Sequence, residues 1–275
     1  MEQWFAFPNI DPVVFALGPF EVRWYALAYI AGILGAIWYA KTICRKASLW
    51  QKNKPSYKAA EIDDFLLWAT LGIILGGRLG YVLFYDPIYF FANPLDIPKI
   101  WTGGMSFHGG MLGVLCAVLL YARALNASYI SLLDLACAAA PIGLFTGRVA
   151  NFINGELYGR VTEHPIGMVF PTADLFPRHP SQLYEAFLEG FLLFVILGLS
   201  IWLLKALKKP GVIIGLFGIG YGTARIISEF FREADAHIGF INTHFTMGML
   251  LSAPMIILGI AIFIISVRKK SDRAA

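Results

Sequence analysis

The chain has 275 residues, of which 58% are hydrophobic and only 15% are charged, and its mean hydropathy is +0.65. Soluble domains usually carry about 25% charged residues, so this composition excludes an ordinary water-soluble domain and indicates a surface that lipid solvates. The net charge of +4 does not indicate nucleic-acid binding, because the basic residues form short runs between apolar segments. Three widely spaced cysteines without a CxxC pair argue against a disulfide framework or a zinc site.

Apolar stretches dominate the chain, and a helix needs about 20 mostly apolar residues to span a bilayer. Seven stretches qualify, at roughly 20–41, 62–85, 104–123, 131–152, 183–205, 212–231 and 245–267. They lack the alternation of membrane-barrel strands. We therefore predict an all-α fold, a polytopic transmembrane helical bundle of seven spans. The prediction is one integral membrane domain over 1–275, with outer-side loops around 86–103 and 153–182.

The distribution of basic residues predicts the orientation. One side of a seven-span arrangement holds fourteen of them: Lys41, Arg45, Lys46, Lys52, Lys54, Lys58, Arg123, Lys205, Lys208, Lys209, Arg268, Lys269, Lys270 and Arg273. The other side holds Arg23, Lys99, Arg160, Arg178 and Arg232. Because cytoplasmic loops carry the excess of Lys and Arg, we expect the N-terminus outside and the C-terminus in the cytoplasm.

Small residues recur every four positions in two of the predicted spans. They are Gly72, Gly76 and Gly80 in the second span, and Gly218 and Gly222 in the sixth. Residues four apart share one helix face, and the missing side chains let a neighbouring helix approach closely. The pattern predicts helix packing and carries no indication of an activity.

Several polar side chains fall inside or at the ends of the spans: Arg78, Arg148, Arg225 and Glu229, with His108, Asn151, Asn154 and Glu156 near span ends. A charge at the bilayer centre costs about 2.5–3.5 kcal/mol on insertion scales, so each is expected to have a partner, a hydrated cavity or a function. The three arginines lie about 20–26 Å above the cytoplasmic starts of their spans. His108 and Tyr25 lie in the first turns of spans that enter from outside.

These five side chains therefore fall in the outer half of the membrane, and we predict one cavity open to the outer leaflet. Arginine keeps its charge, and its planar fork matches phosphate oxygens, so a lipid headgroup phosphate fits such a cavity. Structural alternatives stay open. Arg225 and Glu229 also fit a simple intrahelical ion pair, Arg78 a side chain extended to lipid phosphate, and Tyr25 an aromatic belt.

Other polar residues have equally plain interpretations. His108 precedes two glycines and also fits a hydrogen bond to a backbone carbonyl. Asn151, Asn154 and Gly155 are typical of a helix C-terminus, and Ser181 after Pro180 fits an N-cap. The loop histidines His164, His179, His237 and His244 show no metal-ligand spacing, and no metal or cofactor is expected.

The segment 147–159, GRVANFINGELYG, resembles the signature of the prolipoprotein diacylglyceryl transferase family. That signature is Gly-Arg, two residues, Asn-Phe, one residue, Asn, one residue, Glu, two residues and Gly. Further similarity lies at Trp24-Tyr25, at 104–110 (GMSFHGG), at 178–185 (RHPSQLYE), and at 220–222 (GYG) followed by Arg225 and Glu229. The resemblance covers essentially the whole chain.

The resemblance implies a specific reaction. The family transfers the diacylglyceryl group of phosphatidylglycerol to the lipobox cysteine of a prolipoprotein, forms a thioether and releases glycerol phosphate. It implies a bacterial inner-membrane enzyme, embedded in the lipid bilayer, whose active site faces the periplasmic leaflet. Carried over by position, Arg148 and Arg225 are the essential arginines. Functional positions are also expected at Tyr25, His108, Asn151, Glu156, Gly159 and Glu229.

The chemistry suggests roles for these residues. A thiol must lose its proton, and His108 is the first choice for the base because imidazole titrates near neutral pH. Arg148 and Arg225 are expected to bind the phosphate. Glu156 and Glu229 would orient these arginines, Asn151 would add a neutral donor, and Tyr25 would place the headgroup or the thiol. Thiolate formation assisted by an arginine, without a strict base, stays open.

The principal alternative function is a membrane transporter or channel with an anion-binding cavity. That alternative predicts polar residues at both depths of the membrane and inverted repeats. The sequence shows the polar residues crowded in the outer half and no internal repeat. A purely structural subunit would leave the thirteen-residue signature unexplained.

Overall fold

The structure is a computed structural model that describes residues 4–8, 10–233 and 246–269. Four residues named above lie outside these ranges: His237, His244, Lys270 and Arg273. The described chain is mostly helical. Its helices are α1 (Trp24–Arg45), α2 (Ala59–Phe84), α3 (Pro87–Ala92), α4 (Phe107–Ala124), α5 (Tyr129–Ile153), α6 (Ser181–Glu185), α7 (Leu193–Trp202), α8 (Val212–Glu229) and α9 (Met247–Arg268).

Each predicted apolar stretch contains a helix. Six helical segments in the described residues are long and apolar enough to cross a membrane: α1, α2, α5, the continuous run Ser181–Trp202, α8 and α9. The apolar part of α4, His108–Ala124, is shorter. The chain is therefore a multi-pass helical membrane protein, as predicted, and its described residues contain six candidate spans.

Short strands are a feature that the sequence analysis missed, so the all-α prediction was incomplete. Strands β2 (Val13–Leu17) and β3 (Phe20–Arg23) form an antiparallel hairpin. Strands β1 (Phe5–Ala6) and β4 (Met168–Val169) pair in parallel. The first apolar stretch was predicted to start at 20 as a helix. Gly18, with φ of +60°, makes the turn with Pro19 that returns the chain as β3 before α1 begins.

The chain divides into two compact units, Met1–Ala40 with Asp134–Ala275, and Lys41–Leu133. We call them the first and the second unit. In the second unit, α2 packs on α4 through the predicted glycine face. A Cβ at Gly76 would overlap the backbone of Gly109 and Gly113, and one at Gly80 would lie 2.7 Å from the Cα of Gly109. The predicted close approach is confirmed, and α4 supplies matching glycines.

In the first unit, α8 packs on α9 in the same way. A Cβ at Gly218 would lie 3.1 Å from the Cα of Gly259, and one at Gly222 would contact Ile256. The start of α8 is held by Asp134, which is 1% exposed. Its carboxylate accepts hydrogen bonds from the backbone N–H groups of Gly211 (2.7 Å) and Ile214 (2.9 Å). An anion at a helix N-terminus compensates the unpaired N–H groups there.

The span Ser181–Trp202 is not a uniform α-helix. Between α6 and α7, residues Ala186–Leu192 form a π-helix. Gly190 in this segment lies against α5, because a Cβ there would come within 2.7 Å of the Cα of Phe145. Short π-helical segments inside α-helices are rare and frequently occur at functional sites. This one contains Glu189, and Glu185 is the last residue of α6 directly before it.

Candidate active site

Arg148 and Arg225 come from different helices of the first unit and meet on one carboxylate. Oε2 of Glu185 lies 2.9 Å from Nε of Arg148, and Oε1 of Glu185 lies 2.9 Å from Nη1 of Arg225. The Glu185 side chain is fully buried, whereas the Arg148 and Arg225 side chains keep 17% and 13% of their surface exposed. The two arginine side chains are therefore adjacent and keep some exposed surface, around a carboxylate that has none.

Glu189 presents a second buried carboxylate to the same arginines from the π-helical segment. Its oxygens lie 3.5 Å from Nη2 of Arg148 and 3.7 Å from Nη1 of Arg225. Neither oxygen accepts a hydrogen bond within the described residues. Glu189 therefore balances charge at this site through longer ion pairs.

Glu229 pairs with Arg225 one turn earlier on α8, as the four-residue spacing predicted. The Glu229 carboxylate also lies against Gly248 in the first turn of α9, where a larger side chain would overlap it. Thr246 caps that helix, since its Oγ1 accepts a hydrogen bond from the Met249 N–H. The N-terminus of α9 stabilises an anion, so the carboxylate that orients Arg225 is itself held in place.

A third arginine completes the charge balance. Nη1 of Arg232 lies 3.4 Å from Oε1 of Glu185. The cluster thus contains three guanidinium groups and three carboxylates: Arg148, Arg225, Arg232, Glu185, Glu189 and Glu229. Arg160 secures the backbone beside it, donating from Nε to the carbonyl of Arg232 and from Nη2 to that of Glu229.

Asn151 and Glu156 contact each other at the end of α5. The Asn151 Nδ2 donates to Oε1 of Glu156 at 2.7 Å, and the Glu156 carbonyl accepts from Gln182 Nε2 at 2.6 Å. One carboxylate oxygen of Glu156 is bonded to the Asn151 amide, and no ion pair joins Glu156 to an arginine within the described residues. The expectation that Glu156 orients an arginine stays a prediction.

The glycines of the signature shape the chain after α5. Gly155 ends the helix as predicted, with φ of +65° and its N–H bonded to the carbonyl of Phe152. Gly159 forms an isolated antiparallel bridge with Arg232, and a Cβ there would lie 2.7 Å from the carbonyl oxygen of His179. Gly159 thus permits the close backbone approach that brings the signature next to the end of α8.

Ser181 differs from the N-cap prediction. The cap position is Pro180, and the Ser181 hydroxyl instead donates to the carbonyl of Leu157 at 3.1 Å. Ser181 and Gln182 are both fully buried, so α6 is tied by its first two side chains to the segment that follows α5. This attachment sets the position of Glu185 in the next turn.

Tyr25 lies in the first turn of α1, in the same unit as the arginines. Its hydroxyl forms a hydrogen bond of 3.1 Å with that of Tyr29, and the two rings lie 4.9 Å apart. Its hydroxyl is also within electrostatic range of Glu156 and Arg148. The direct contacts of Tyr25 are thus with Tyr29, and its role at the arginine site stays a prediction.

His108 and Arg78 belong to the second unit. His108 lies in the first turn of α4, beyond Ser106, whose hydroxyl oxygen accepts a hydrogen bond from the Gly109 N–H. Its side chain is exposed and borders an apolar groove of about 880 Å³ between α2 and α4. The prediction that both residues share one cavity with the arginines of the first unit stays a prediction.

Arg78 makes contacts of a different kind. Its guanidinium donates to four backbone carbonyls, those of Asp96 (2.7 Å), Ile97 (2.7 Å), Gly103 (2.6 Å) and Gly104 (3.1 Å), and lies over the Phe90 ring. The residue is 5% exposed, so the interpretation as a side chain extended to the surface is wrong. Arg78 holds the loop between α2 and α4.

Contacts of Arg178 and His179 stabilise the segment before α6. Arg178 pairs with Asp174 and Glu233, both at 2.7 Å, and these bonds lower the pKa of Asp174 and raise that of Arg178. The neighbouring His179 contacts the Tyr184 hydroxyl and the Phe231 ring. Burial, and secondarily the charge of His164, lowers the pKa of His179.

The sequence analysis missed Glu185 and Glu189 as site residues. The available indication was their position, because both fall inside the apolar stretch 183–205, four residues apart. The cost of burying a charge in lipid applied to them as it did to Arg225. Unlike Glu229, neither glutamate is one helical turn from an arginine in the sequence, so spacing indicated no partner for them.

Comparisons with known proteins identify the family of this chain. A family model described as prolipoprotein diacylglyceryl transferase matches residues 12–265. A phosphatidylglycerol–prolipoprotein diacylglyceryl transferase from Rhodospirillum rubrum is 56% identical over 266 residues, covering 96% of this chain and 95% of the relative. The proteins of the same name from Brucella anthropi and Brucella canis are each 53% identical over 256 residues, covering 93% of this chain and 91% of theirs. The chain belongs to the prolipoprotein diacylglyceryl transferase family.

Proposed function

We propose that Arg148 and Arg225 bind the phosphate of phosphatidylglycerol while its diacylglyceryl group passes to the lipobox cysteine of a prolipoprotein. Family membership makes the chain a diacylglyceryl transferase, and the curated relatives carry both substrates in their name. The observation that carries the residue assignment is that two arginine side chains with some exposed surface meet on buried Glu185. Each guanidinium has five N–H donors, more than its carboxylate contacts occupy.

Phosphate binding by this pair also follows from charge. The carboxylates beside the arginines are buried, whereas the arginines keep exposed surface, so an incoming anion meets positive groups first. Paired guanidinium forks hold phosphate oxygens with defined geometry. Glu229 orients Arg225, Asn151 and Glu156 line the end of α5, and Gly159 brings the signature close to these arginines.

The reaction forms one carbon–sulfur bond and breaks one carbon–oxygen bond. The cysteine thiolate attacks the glyceryl carbon that bears the phosphate, and the phosphate oxygen leaves with the bonding electron pair. Glycerol phosphate is released, and the thiol proton passes to a base. Negative charge grows on the leaving phosphate, and donors preset for such charge commonly contribute about 2.7–4 kcal/mol each.

His108 is the proposed base. An imidazole accepts a proton near neutral pH, and His108 lies in the segment 104–110 that resembles the family. Tyr25 is proposed to place the headgroup or the thiol. Its electrostatic interactions with Arg148 and Glu156 support this role. The substitution His108→Gln tests the role of His108 as the base.

The proposed topology has seven spans, with α4 as the shorter one, in a single membrane domain. The N-terminus lies outside, the C-terminus lies in the cytoplasm, and loops 86–103 and 153–182 lie on the outer side. The excess of Lys and Arg on one side supports this orientation. The site then faces the periplasmic leaflet of the bacterial inner membrane.

The direct test uses purified protein in detergent with phosphatidylglycerol and a lipobox peptide. We expect glycerol phosphate release and a peptide whose mass increases by one diacylglyceryl group, attached through a thioether. A peptide with serine in place of the cysteine is the matched control and should remain unmodified. Glycerol phosphate release that does not require the cysteine would contradict the proposed reaction.

A further inference from the structure

Glu185 has the geometry of a group that sets the spacing between two binding side chains. It gives one carboxylate oxygen to Arg148 and the other to Arg225, each at 2.9 Å. The contact with Arg225 is a hydrogen bond, whereas the contact with Arg148 is an ion pair without hydrogen-bond geometry. Glu189 contacts the same two arginines at longer distances, and Glu229 contacts only Arg225. Glu185 is therefore the carboxylate that links the two arginines most closely.

The backbone around Glu185 is itself tightly held. Ser181 and Gln182, one turn earlier, bind the carbonyls of Leu157 and Glu156, in the segment that follows α5. The π-helix then begins at Ala186 and brings Glu189 to the same two arginines. Because π-helices are rare and occur frequently at functional sites, its presence supports a role for this segment in the site. Here it delivers a second carboxylate to the pair.

Charge explains why a carboxylate is needed between the arginines. Two adjacent guanidinium groups repel each other, and a low-dielectric interior strengthens that repulsion. Without Glu185, Arg148 would keep only the longer ion pair to Glu189 among the described residues. Removing one member of a buried charge network leaves the others uncompensated.

We propose that Glu185 is a positioning residue for diacylglyceryl transfer, which directs the remaining N–H donors of Arg148 and Arg225 toward one phosphate. The inference rests on the proposed function, since it assumes that these arginines bind the lipid phosphate. Glu185 acts through the arginines and does not contact the reacting atoms. It matters for binding of the donor lipid and for the transition state, but not for binding of the peptide.

The test compares E185Q, which keeps the shape and loses the charge, with E185D, which keeps the charge on a shorter side chain. For E185Q we expect kcat/KM for phosphatidylglycerol to fall by about 10- to 100-fold, the scale typical of groups that orient a binding side chain. The peptide KM should change less than about twofold. E185D should recover part of the loss, because a carboxylate remains to pair with at least one arginine.

Asp134 provides a matched control, since it is another buried carboxylate of the first unit that contacts backbone N–H groups and no arginine. D134N should lower the apparent Tm and leave kcat/KM of the folded enzyme within about twofold of wild type. If E185Q loses activity only in proportion to its folded fraction, as D134N would, the positioning role is rejected.

A double substitution separates this inference from the proposed function. In the R148K background, E185Q should reduce kcat/KM by less than about threefold further, because the arginine pair is already disrupted. If R148K and R225K retain normal rates, the arginine site itself is wrong. If both arginine variants fail while E185Q stays within about twofold of wild type, only the positioning role of Glu185 is wrong.

Discussion

Three arginines lie inside apolar helices, Arg78 in the second unit and Arg148 and Arg225 in the first. Their hydrogen-bonding and ion-pair partners differ. Arg78 is 5% exposed and donates to four backbone carbonyls of the loop between α2 and α4. Arg148 and Arg225 contact carboxylates and keep exposed surface. Carbonyls take up the donors of an arginine and fix a loop, whereas a shared carboxylate fixes two arginines and leaves donors available.

The comparison indicates that a position inside an apolar helix does not distinguish a candidate binding arginine from a structural one. The acceptor that each arginine meets does so. The same substitution to lysine should therefore have opposite consequences in the two units, and substitutions at both places test this directly.

The largest effect is expected for Arg148→Lys and Arg225→Lys. A point charge cannot reproduce the two-pronged geometry of the guanidinium, so we expect kcat to fall by about 10²–10³-fold. The apparent Tm should stay close to that of wild type, because a positive charge remains beside Glu185. The transfer assay and a thermal unfolding scan measure the two quantities. Near-normal rates in either variant would reject the assignment of the phosphate site.

The next largest effect is expected for His108→Gln. Removal of a general base commonly costs about 10²–10⁴-fold in rate, and we expect kcat to fall by about 10²-fold while phosphatidylglycerol binding is retained. Lipid binding and turnover are measured on the same preparation. Unchanged turnover would remove His108 from the base role and favour thiolate formation assisted by an arginine.

Arg78→Lys should have the reverse pattern to the site arginines. Lysine cannot reach the carbonyls of Asp96, Ile97 and Gly103 together, and we expect a loss of stability on the order of 3 kcal/mol. The kcat/KM of the folded enzyme should change by less than about threefold. A rate loss as large as that of Arg148→Lys, with unchanged thermal stability, would break the distinction between the two regions.

The smallest effect concerns pH and His179. Because burial lowers the pKa of His179 in the folded state, the unfolded chain binds a proton first as the pH falls below about 6.5, the ordinary histidine value. Stability should therefore decrease on acidification until the pH reaches the folded-state pKa. His179→Gln should remove this part of the pH dependence of the apparent Tm. The change in apparent Tm that depends on His179 should be less than about 4 °C. If stability instead increases on acidification and His179→Gln abolishes that increase, this prediction is contradicted.

Much of the fold was predictable because lipid imposes a simple rule on composition. All seven apolar stretches contain helices, and the glycine spacings in α2 and α8 indicated the packing faces correctly. The short strands were missed because the hairpin around Gly18 merges into the first apolar stretch. The π-helix at Ala186–Leu192 has no periodicity that would distinguish it from an α-helix in the sequence.

The sequence indicated the arginines of the candidate site, but it indicated fewer of the carboxylates that contact them. The spacing of Arg225 and Glu229 indicated their pairing, and the signature singled out Arg148 and Asn151. Arg78 binds loop carbonyls 18 to 26 residues away, and the Asn151–Glu156 contact forms where the chain leaves α5, so helical spacing encodes neither. The role of Glu185 emerges only when three helices bring their side chains together.

The most direct measurement is a structure of the protein with phosphatidylglycerol and without an acceptor peptide, so that the lipid is not consumed. We predict that the phosphate oxygens lie within about 3.5 Å of guanidinium nitrogens of both Arg148 and Arg225, with Glu185 still bridging the pair. A phosphate bound elsewhere, with neither arginine in contact with it, would contradict the assignment.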